Sequence, residues 1–467
     1  MMRRTCSLQG FGTRLMAAAR LMALGSLALL LGSGALGNIA AQEQPAQQQQ
    51  AQGQAYTPAE YNAYKAAADE KNAQQRLKLL DDFMSKYPNS SLLGYAYRAY
   101  YQTYNELKNP PKVMEFADKE LALGDKVDPT IKLEAYYLRS VAYYTTFNDK
   151  DPNAVANATK ARDAAQAGLK LLSEMKPPQG TTEEQWAQTK KQVQPLLNSV
   201  LGLSAGLLKD YKTAVEGYKA AIADAPTDPV LRFRLGVAYL QMQPPQTLDG
   251  FWALAQSISL KGPTEAQVRP YLRKQLLNYQ QPACEHLIDA QMNELISLAA
   301  TSPTRPDTYK FPSSAELEAA RKDMTIASVV SDLKAGGDKA KITWLAACGL
   351  EFPEVPGKVI EVVPGNPVVL KVAFVTSEAE FNAANAANME VKIDTQPEAA
   401  RIEKDNPVHF TGTLSSYDPD PLMIHWTKAI VNKDDIPAEK PGKAPRKAPA
   451  KRPAGATRRT PAKRPAS

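Results

Sequence analysis

The side chains that most often carry catalysis or bind metals are few and scattered in this sequence. Its three histidines are His286, His409 and His425, and none has a second candidate ligand at the spacing that a zinc site requires. His425 precedes Trp426 in a strand-like segment, so we expect packing or pairing from it rather than catalysis. The sequence has no phosphate-binding loop, no Gly-x-Ser-x-Gly element and no zinc-protease helix motif. We therefore predict a protein that is not an enzyme and that uses no metal and no cofactor.

Two aspartates near the C-terminal end suggest calcium at first sight. Asp418 and Asp420 alternate with Pro419 and Pro421, and calcium needs further oxygen ligands that this segment does not offer. Alternating aspartate and proline is typical of a tight turn. The segment is predicted to connect two strands.

Two cysteines, Cys284 and Cys348, follow the N-terminal region that contains Cys6. In an oxidising compartment they would form a disulfide that stabilises the fold by on the order of 4 kcal/mol for a loop of this length. The alternative is two separate buried thiols. The sequence alone does not distinguish the two.

The elements that must position these residues are mainly helical. From 56 to 301, apolar residues recur at every third or fourth position, and turns rich in Pro, Asn and Asp interrupt them regularly. This pattern predicts five helix pairs, the last two at 186–208 with 211–225 and at 230–241 with 248–260. A helical connector follows over 302–350.

The fourth and fifth pairs carry a recognisable repeat. Leu201-Gly202 and Leu235-Gly236 are 34 residues apart in the sequence. The second helix of the fourth pair continues with small, large and proline residues at a characteristic spacing, namely Ala214, Tyr218, Ala221 and Pro226. This pattern resembles the tetratricopeptide repeat (TPR). The resemblance implies a right-handed helical solenoid, an architecture that binds proteins far more often than it catalyses reactions.

The TPR resemblance also implies a groove lined by the first helix of each pair. The residues it places there are Leu203, Leu207, Val230, Phe233, Val237 and Gln241. Such a surface would bind a protein or peptide of unknown identity. The alternative is that these residues pack against helices predicted at 269–279 and 285–300, which would cap the array. Arg232 and Arg234 flank Phe233 and are expected on a solvated face.

Tyrosines are concentrated in the second and third pairs. They can stack on sugars, which would suit a glycan ligand such as peptidoglycan, but their helical spacing favours packing between helices. The tyrosines in question are Tyr95, Tyr97, Tyr100, Tyr101, Tyr104, Tyr136, Tyr137, Tyr143 and Tyr144.

A small β-rich domain is predicted over 351–437. Alternating branched residues predict five short strands, which suit a small barrel or a sandwich, at 359–363, 368–374, 389–393, 408–414 and 423–430. The segment 409–417 with its central Gly412, followed by 423–430, resembles the paired strands of an oligonucleotide/oligosaccharide-binding-type barrel. That resemblance brings no ligand-binding residue with it.

The N-terminal 41 residues have the order of a secretory signal peptide. Four arginines without an acid precede an apolar run at 21–31 and a zone of small residues. An uncleaved membrane anchor is the alternative, but the run is shorter than the roughly 20 residues of a spanning helix. We expect cleavage, a periplasmic or secreted protein and no spanning segment in the mature chain. Residues 42–55 are rich in Gln and are predicted to be a disordered linker.

The C-terminal residues 438–467 form a basic tail of Pro, Ala, Lys and Arg with a single acid, Glu439. This composition predicts an extended, disordered segment. Its ten bases are Lys440, Lys443, Arg446, Lys447, Lys451, Arg452, Arg458, Arg459, Lys463 and Arg464. Behind a secretory signal, we expect an anionic partner such as an envelope polymer, lipid head groups or an acidic protein surface, and nucleic acid is unlikely. Further alternatives are that the tail contacts the acidic body of this chain, or that it only keeps the protein soluble and has no specific ligand.

The sequence as a whole predicts a mainly α protein, with a TPR-type solenoid, a small β domain and a disordered basic tail. We expect an exported scaffold that binds proteins in the cell envelope. The alternative is a protein that binds an envelope polymer or a glycan.

Overall fold

The computed structural model describes residues 56–439. It divides into two compact units, with the division after Leu317. Three predicted segments lie outside the described residues: the signal peptide at 1–41, the linker at 42–55 and the ten bases of the tail.

The first unit consists of helices that pack in succession along the chain. They are α1 (Pro58–Asp69), α2 (Ala73–Lys86), α3 (Leu93–Glu106), α4 (Pro110–Leu121), α5 (Pro129–Thr146), α6 (Ala154–Glu174), α7 (Glu183–Leu207), α8 (Tyr211–Asp224), α9 (Pro229–Gln241), α10 (Thr247–Ser259), α11 (Glu265–Gln280) and α12 (His286–Thr301). The odd-numbered helices are the first members of the pairs and the even-numbered ones the second. The prediction of a TPR-type helical solenoid is confirmed.

The helix boundaries follow from capping residues in the sequence. Thr182 accepts a hydrogen bond from the backbone N–H of Gln185, whose side chain accepts one from the N–H of Thr182, so α7 begins with a capping box. At α9, Asp228 accepts from two backbone N–H groups of the first turn, and Pro229 occupies the first helical position. None of the helices within 56–439 is both long and apolar enough to span a bilayer.

Glycines allow the helices of the fourth and fifth pairs to approach closely. A Cβ atom on Gly202 would lie 2.7 Å from the ring of Tyr218, and one on Gly217 would lie 2.7 Å from the backbone N of Gly202. A Cβ on Gly236 would lie 2.7 Å from Leu254. The glycines of the Leu-Gly signature therefore lie where paired helices approach closely.

The second unit begins within α13 (Ser314–Lys322) and contains three further helices and five strands. They are α14 (Ile326–Ala335), α15 (Gly337–Ala347), β1 (Glu351–Val363), β2 (Val368–Phe374), α16 (Glu378–Ala383), β3 (Met389–Ile393), β4 (Pro407–Pro419) and β5 (Leu422–Val431). The helical connector predicted over 302–350 is divided between α14 and α15 at Gly336 and Gly337, which both adopt positive φ, at 73° and 69°. The short α16 was not predicted from the sequence.

The five strands form a closed barrel in the order β1-β2-β3-β5-β4. Strands β3 and β5 are parallel, and all other neighbours are antiparallel. Trp426 is fully buried at the centre, with the rings of Phe352 and Phe410 at 6.1 and 5.1 Å. Of the two predicted alternatives, barrel and sandwich, the structure has the barrel. The predicted turn is confirmed, since Pro419 pairs with Leu422 at the end of the β4–β5 hairpin.

Candidate partner-binding surface

The fifth helix pair buries one predicted groove residue in the core of the first unit and packs a second against it. Phe233 is 8% exposed and packs in a cluster with residues of α10, α11 and α12. Its ring lies 6.1 Å from that of Tyr271 in α11, and Val237 packs against the same cluster. At these two residues the structure shows the alternative arrangement, in which downstream helices cover the first helix.

The other four predicted groove residues do not share one open surface either. Leu203 is buried in a cluster with Tyr143 of α5 and Ala158 of α6, and Leu207 packs against that cluster. Val230 and Gln241 are half-buried. The six residues are therefore divided between two cores and the edge of α9.

The expectation of a solvated face for Arg232 and Arg234 is wrong. Arg232 is half-buried and donates to the side-chain oxygen of Gln256 at 2.6 Å. Arg234, in α9, donates to the Tyr144 hydroxyl in α5 at 3.1 Å, and its guanidinium lies 5.1 Å from the centre of that ring. A contact between the first helices of the third and fifth pairs bridges the array at this point.

In the first three pairs, a different set of first-helix residues is only partly buried. We call it the first-helix surface and define it by five half-buried residues, Tyr64, Tyr95, Arg98, Gln102 and Glu134. They connect consecutive first helices: the rings of Tyr64 (α1) and Tyr95 (α3) are 6.1 Å apart. Arg98 of α3 pairs with Glu134 of α5 at 2.9 Å, and the Gln102 amide donates to Glu134 at 2.5 Å.

A buried acid lies beneath this surface. Glu120 of α4 is fully buried, and so is Tyr101 of α3. The Tyr101 hydroxyl lies beside the Glu120 carboxyl and favours its ionised form, but this effect is smaller than that of burial. Burial raises the pKa of Glu120 to about 8, and burial also raises the pKa of Tyr101 well above its usual range. Both groups are therefore neutral at pH 7.

The tyrosines of the second and third pairs are used mostly in packing. Tyr100 stacks on Phe116 of α4 with ring centres 4.2 Å apart, and its hydroxyl donates to Asp81 of α2 at 2.5 Å. Burial and this carboxylate raise the pKa of Tyr100. Tyr137 and Tyr143 are buried as well. These tyrosines therefore pack between helices, as their spacing in the sequence favours. The tyrosines of the first-helix surface, Tyr64 and Tyr95, are only partly buried.

Sequence reasoning missed the polar members of this surface. Arg98 and Glu134 are 36 residues apart in the sequence, so no local pattern joins them. Glu120 did have a signal, because it continues a buried stripe formed by Val113 and Ala117. An acidic residue at an apolar position of an amphipathic helix marks a buried polar site.

The histidines of the barrel are paired with carboxylates. His425 contacts Glu390 through Nδ1 at 3.2 Å and Asp418 through Nε2 at 3.0 Å. His409 contacts Asp435 at 3.2 Å through Nδ1. In the part of the chain that the structure describes, no group of three or more His, Cys, Asp or Glu side chains could hold a metal ion.

The two cysteines belong to different units. Cys284 lies between α11 and α12, and Cys348 follows α15 and is fully buried. Their pairing stays a prediction.

Charge is distributed unevenly between the units. Residues 56–317 contain 30 basic and 29 acidic residues, whereas residues 318–439 contain 12 basic and 19 acidic ones. The acidic excess of the body therefore belongs to the second unit, which precedes the basic tail in the chain.

Comparison with known proteins gives structural neighbours only. No family model matches the chain, and no curated protein matches it. Among solved structures, it is similar to MamA (residues 41 to the end) from Desulfovibrio magneticus RS-1, with 19% identity over 44% of this chain and 93% of that chain and a TM-score of 0.30. It is also similar to TTC0263, a thermophilic TPR protein of Thermus thermophilus, with 18% identity over 47% of this chain and 99% of that chain and a TM-score of 0.23. The fold assignment rests on the chain's own helix pairs: a TPR-type solenoid followed by a five-stranded barrel.

Proposed function

We propose that this protein is a non-catalytic scaffold that binds a protein or peptide through its first-helix surface. The observation that supports this most directly is the contrast along the solenoid. The fifth pair is covered by the chain's own downstream helices at Phe233, whereas Tyr64, Tyr95 and Arg98 of the first two pairs are half-buried.

The chemistry of the first-helix surface suits protein recognition. Tyrosine and arginine dominate the binding energy of protein interfaces, because they combine a large apolar area with polar ends. The guanidinium of Arg98 is held by Glu134, and the amide of Gln102 by the same carboxylate. These groups are therefore pre-ordered, which lowers the entropic cost of binding.

We further propose that the protein is exported and that the basic tail contacts an anionic partner in the cell envelope. The support comes from the sequence: the signal-like N-terminal region and ten bases without an acid in residues 440–467. A protein or peptide at the solenoid and an anionic polymer at the tail would make the chain an adaptor between the two.

Site-specific photo-crosslinking in the cells that produce the protein tests the binding surface. A benzophenone amino acid replaces Tyr95, which exchanges one aromatic side chain for another. We expect a discrete adduct with one protein, and we expect it to persist in a chain that ends at Glu439. Retention of the purified protein on cell-wall sacculi is expected to fall when the tail is removed.

Tyr211 provides the matched control. It is also a half-buried tyrosine, but it lies on α8, a second helix. Equal adducts at Tyr95 and Tyr211, or none at Tyr95, would contradict the proposed surface. Retention on sacculi that does not depend on the tail, without any protein adduct, would favour the alternative of a polymer-binding or glycan-binding protein.

A further inference from the structure

Glu120 occupies a position where α4 otherwise buries apolar side chains. It is 0% exposed, and the Tyr101 hydroxyl beside it is buried as well. A carboxyl group in such surroundings is far more stable as the neutral acid than as the carboxylate.

Two helices pack against α4, and both bring titratable or charged groups toward Glu120. Those groups are Arg98 and Tyr101 from α3 and Lys132, Glu134 and Tyr136 from α5. Burial is the main cause of the raised pKa of Glu120, and the Glu134 carboxylate acts in the same direction. Tyr101, Arg98 and Lys132 each lower the pKa of Glu120, but their effects do not outweigh burial.

The cations near Glu120 already have carboxylate partners. Arg98 pairs with Glu134 at 2.9 Å, and the Lys132 ammonium lies 3.2 Å from Asp125. An ionised Glu120 would add a second negative charge beside Glu134 and compete with it for the guanidinium of Arg98. The ion pair that joins α3 to α5 would weaken as a result.

We propose that Glu120 makes the packing of α3, α4 and α5 sensitive to pH, so that loss of its proton loosens the first-helix surface above it. The sign follows from the two states. The pKa rises from an ordinary 4.5 to about 8 on folding, so the stabilisation is complete below the ordinary value and is lost as pH rises toward the folded one. That this loosening regulates binding rests on the proposed function, whereas the loosening itself does not.

Hydrogen exchange of the full chain, followed by mass spectrometry between pH 6 and 9, tests the proposal without a partner. After correction for the intrinsic exchange rate, we expect the opening of peptides from α3, α4 and α5 to increase several-fold, and at most about tenfold per pH unit. Peptides from α9 to α12 are expected to change little. Glu120→Gln should abolish the pH dependence in α3 to α5.

Glu115→Gln is the matched control on the same helix. Glu115 is accessible, and its hydrogen bonds to Lys112 and Lys119 lower its pKa, so it stays ionised throughout. This variant should retain the wild-type pH dependence. A wild-type chain whose exchange does not change with pH would overturn the proposal, as would a Glu120→Gln chain that responds like the wild type.

Infrared spectroscopy of the wild type covers the case in which Glu120→Gln fails to fold. We expect a protonated carboxyl band at pH 7 that disappears as pH rises past about 8, and its absence would equally overturn the proposal. If exchange responds to pH but the Tyr95 crosslink does not form, the pH sensitivity stands and the proposed binding surface fails.

Discussion

At the scale of single residues, Gly217 is required because the contact between α7 and α8 has no room for a side chain at this position. A Cβ atom there would lie 2.7 Å from the backbone N of Gly202 and 2.9 Å from the backbone O of Asn198. Both obstacles are backbone atoms, so a rotamer change cannot relieve the contact. The distance between α7 and α8 therefore depends on this residue.

Gly217→Ala is expected to lower the free energy of unfolding by roughly 1–3 kcal/mol, because overpacking outweighs the higher helix propensity of alanine. Chemical denaturation measures the change. Gly206→Ala is the control in α7, where a Cβ atom meets only Ala214 at 4.0 Å, so it should be neutral or stabilise by up to about 1 kcal/mol. A Gly217→Ala chain as stable as Gly206→Ala would refute the close contact.

At the scale of single elements, the cap of α7 is the clearest link from sequence to structure. Thr182→Ala removes the side chain that accepts the N–H of Gln185. We expect a loss of about 1 kcal/mol in unfolding free energy, measured by chemical denaturation.

Thr189→Ala, within the same helix, is the comparison for the cap. Its hydroxyl only donates to the carbonyl of Gln185, a bond that contributes little to a helix. Thr189→Ala should therefore leave stability unchanged or raise it slightly. If both variants lose the same amount, the cap has no special role.

The helices could be predicted because their signals are local. The ninth helix was expected at 230–241 and is found at Pro229–Gln241, since Asp228-Pro229 both caps and starts it. The split at Gly336-Gly337 was missed, because two glycines in an apolar helical pattern do not by themselves indicate positive φ. The order of strands in the barrel could not be predicted from the sequence either, because strand pairing joins distant parts of the chain.

The candidate surface could be predicted only in part. Repeat spacing correctly indicated a solenoid, but the residues projected into its groove from the family geometry pack elsewhere, as Phe233 shows. Coverage of Phe233 by downstream helices is the arrangement that the sequence favours slightly, because solenoids need capping. Arg98, Gln102 and Glu134 meet through the packing of α3 on α5, which only the folded chain reveals.

At the scale of the whole molecule, the predicted disulfide would join the two units covalently. If Cys284 and Cys348 form a disulfide in the exported protein, thiol titration of the denatured chain should detect two more thiols after reduction than before it. Equal numbers in both samples would exclude the bond. Cys6 contributes equally to both measurements if it is still present, so the difference is independent of signal cleavage.

The contact between Arg234 and Tyr144 changes how the array loses structure. In a simple repeat array each unit touches only its neighbours, so pairs can open one at a time from an end. Here the fifth pair contacts the third directly across 90 residues of sequence. Opening of the fifth pair therefore also removes a contact of the third, and the segment from α5 to α9 gains cooperativity that a one-dimensional stack of helix pairs would lack.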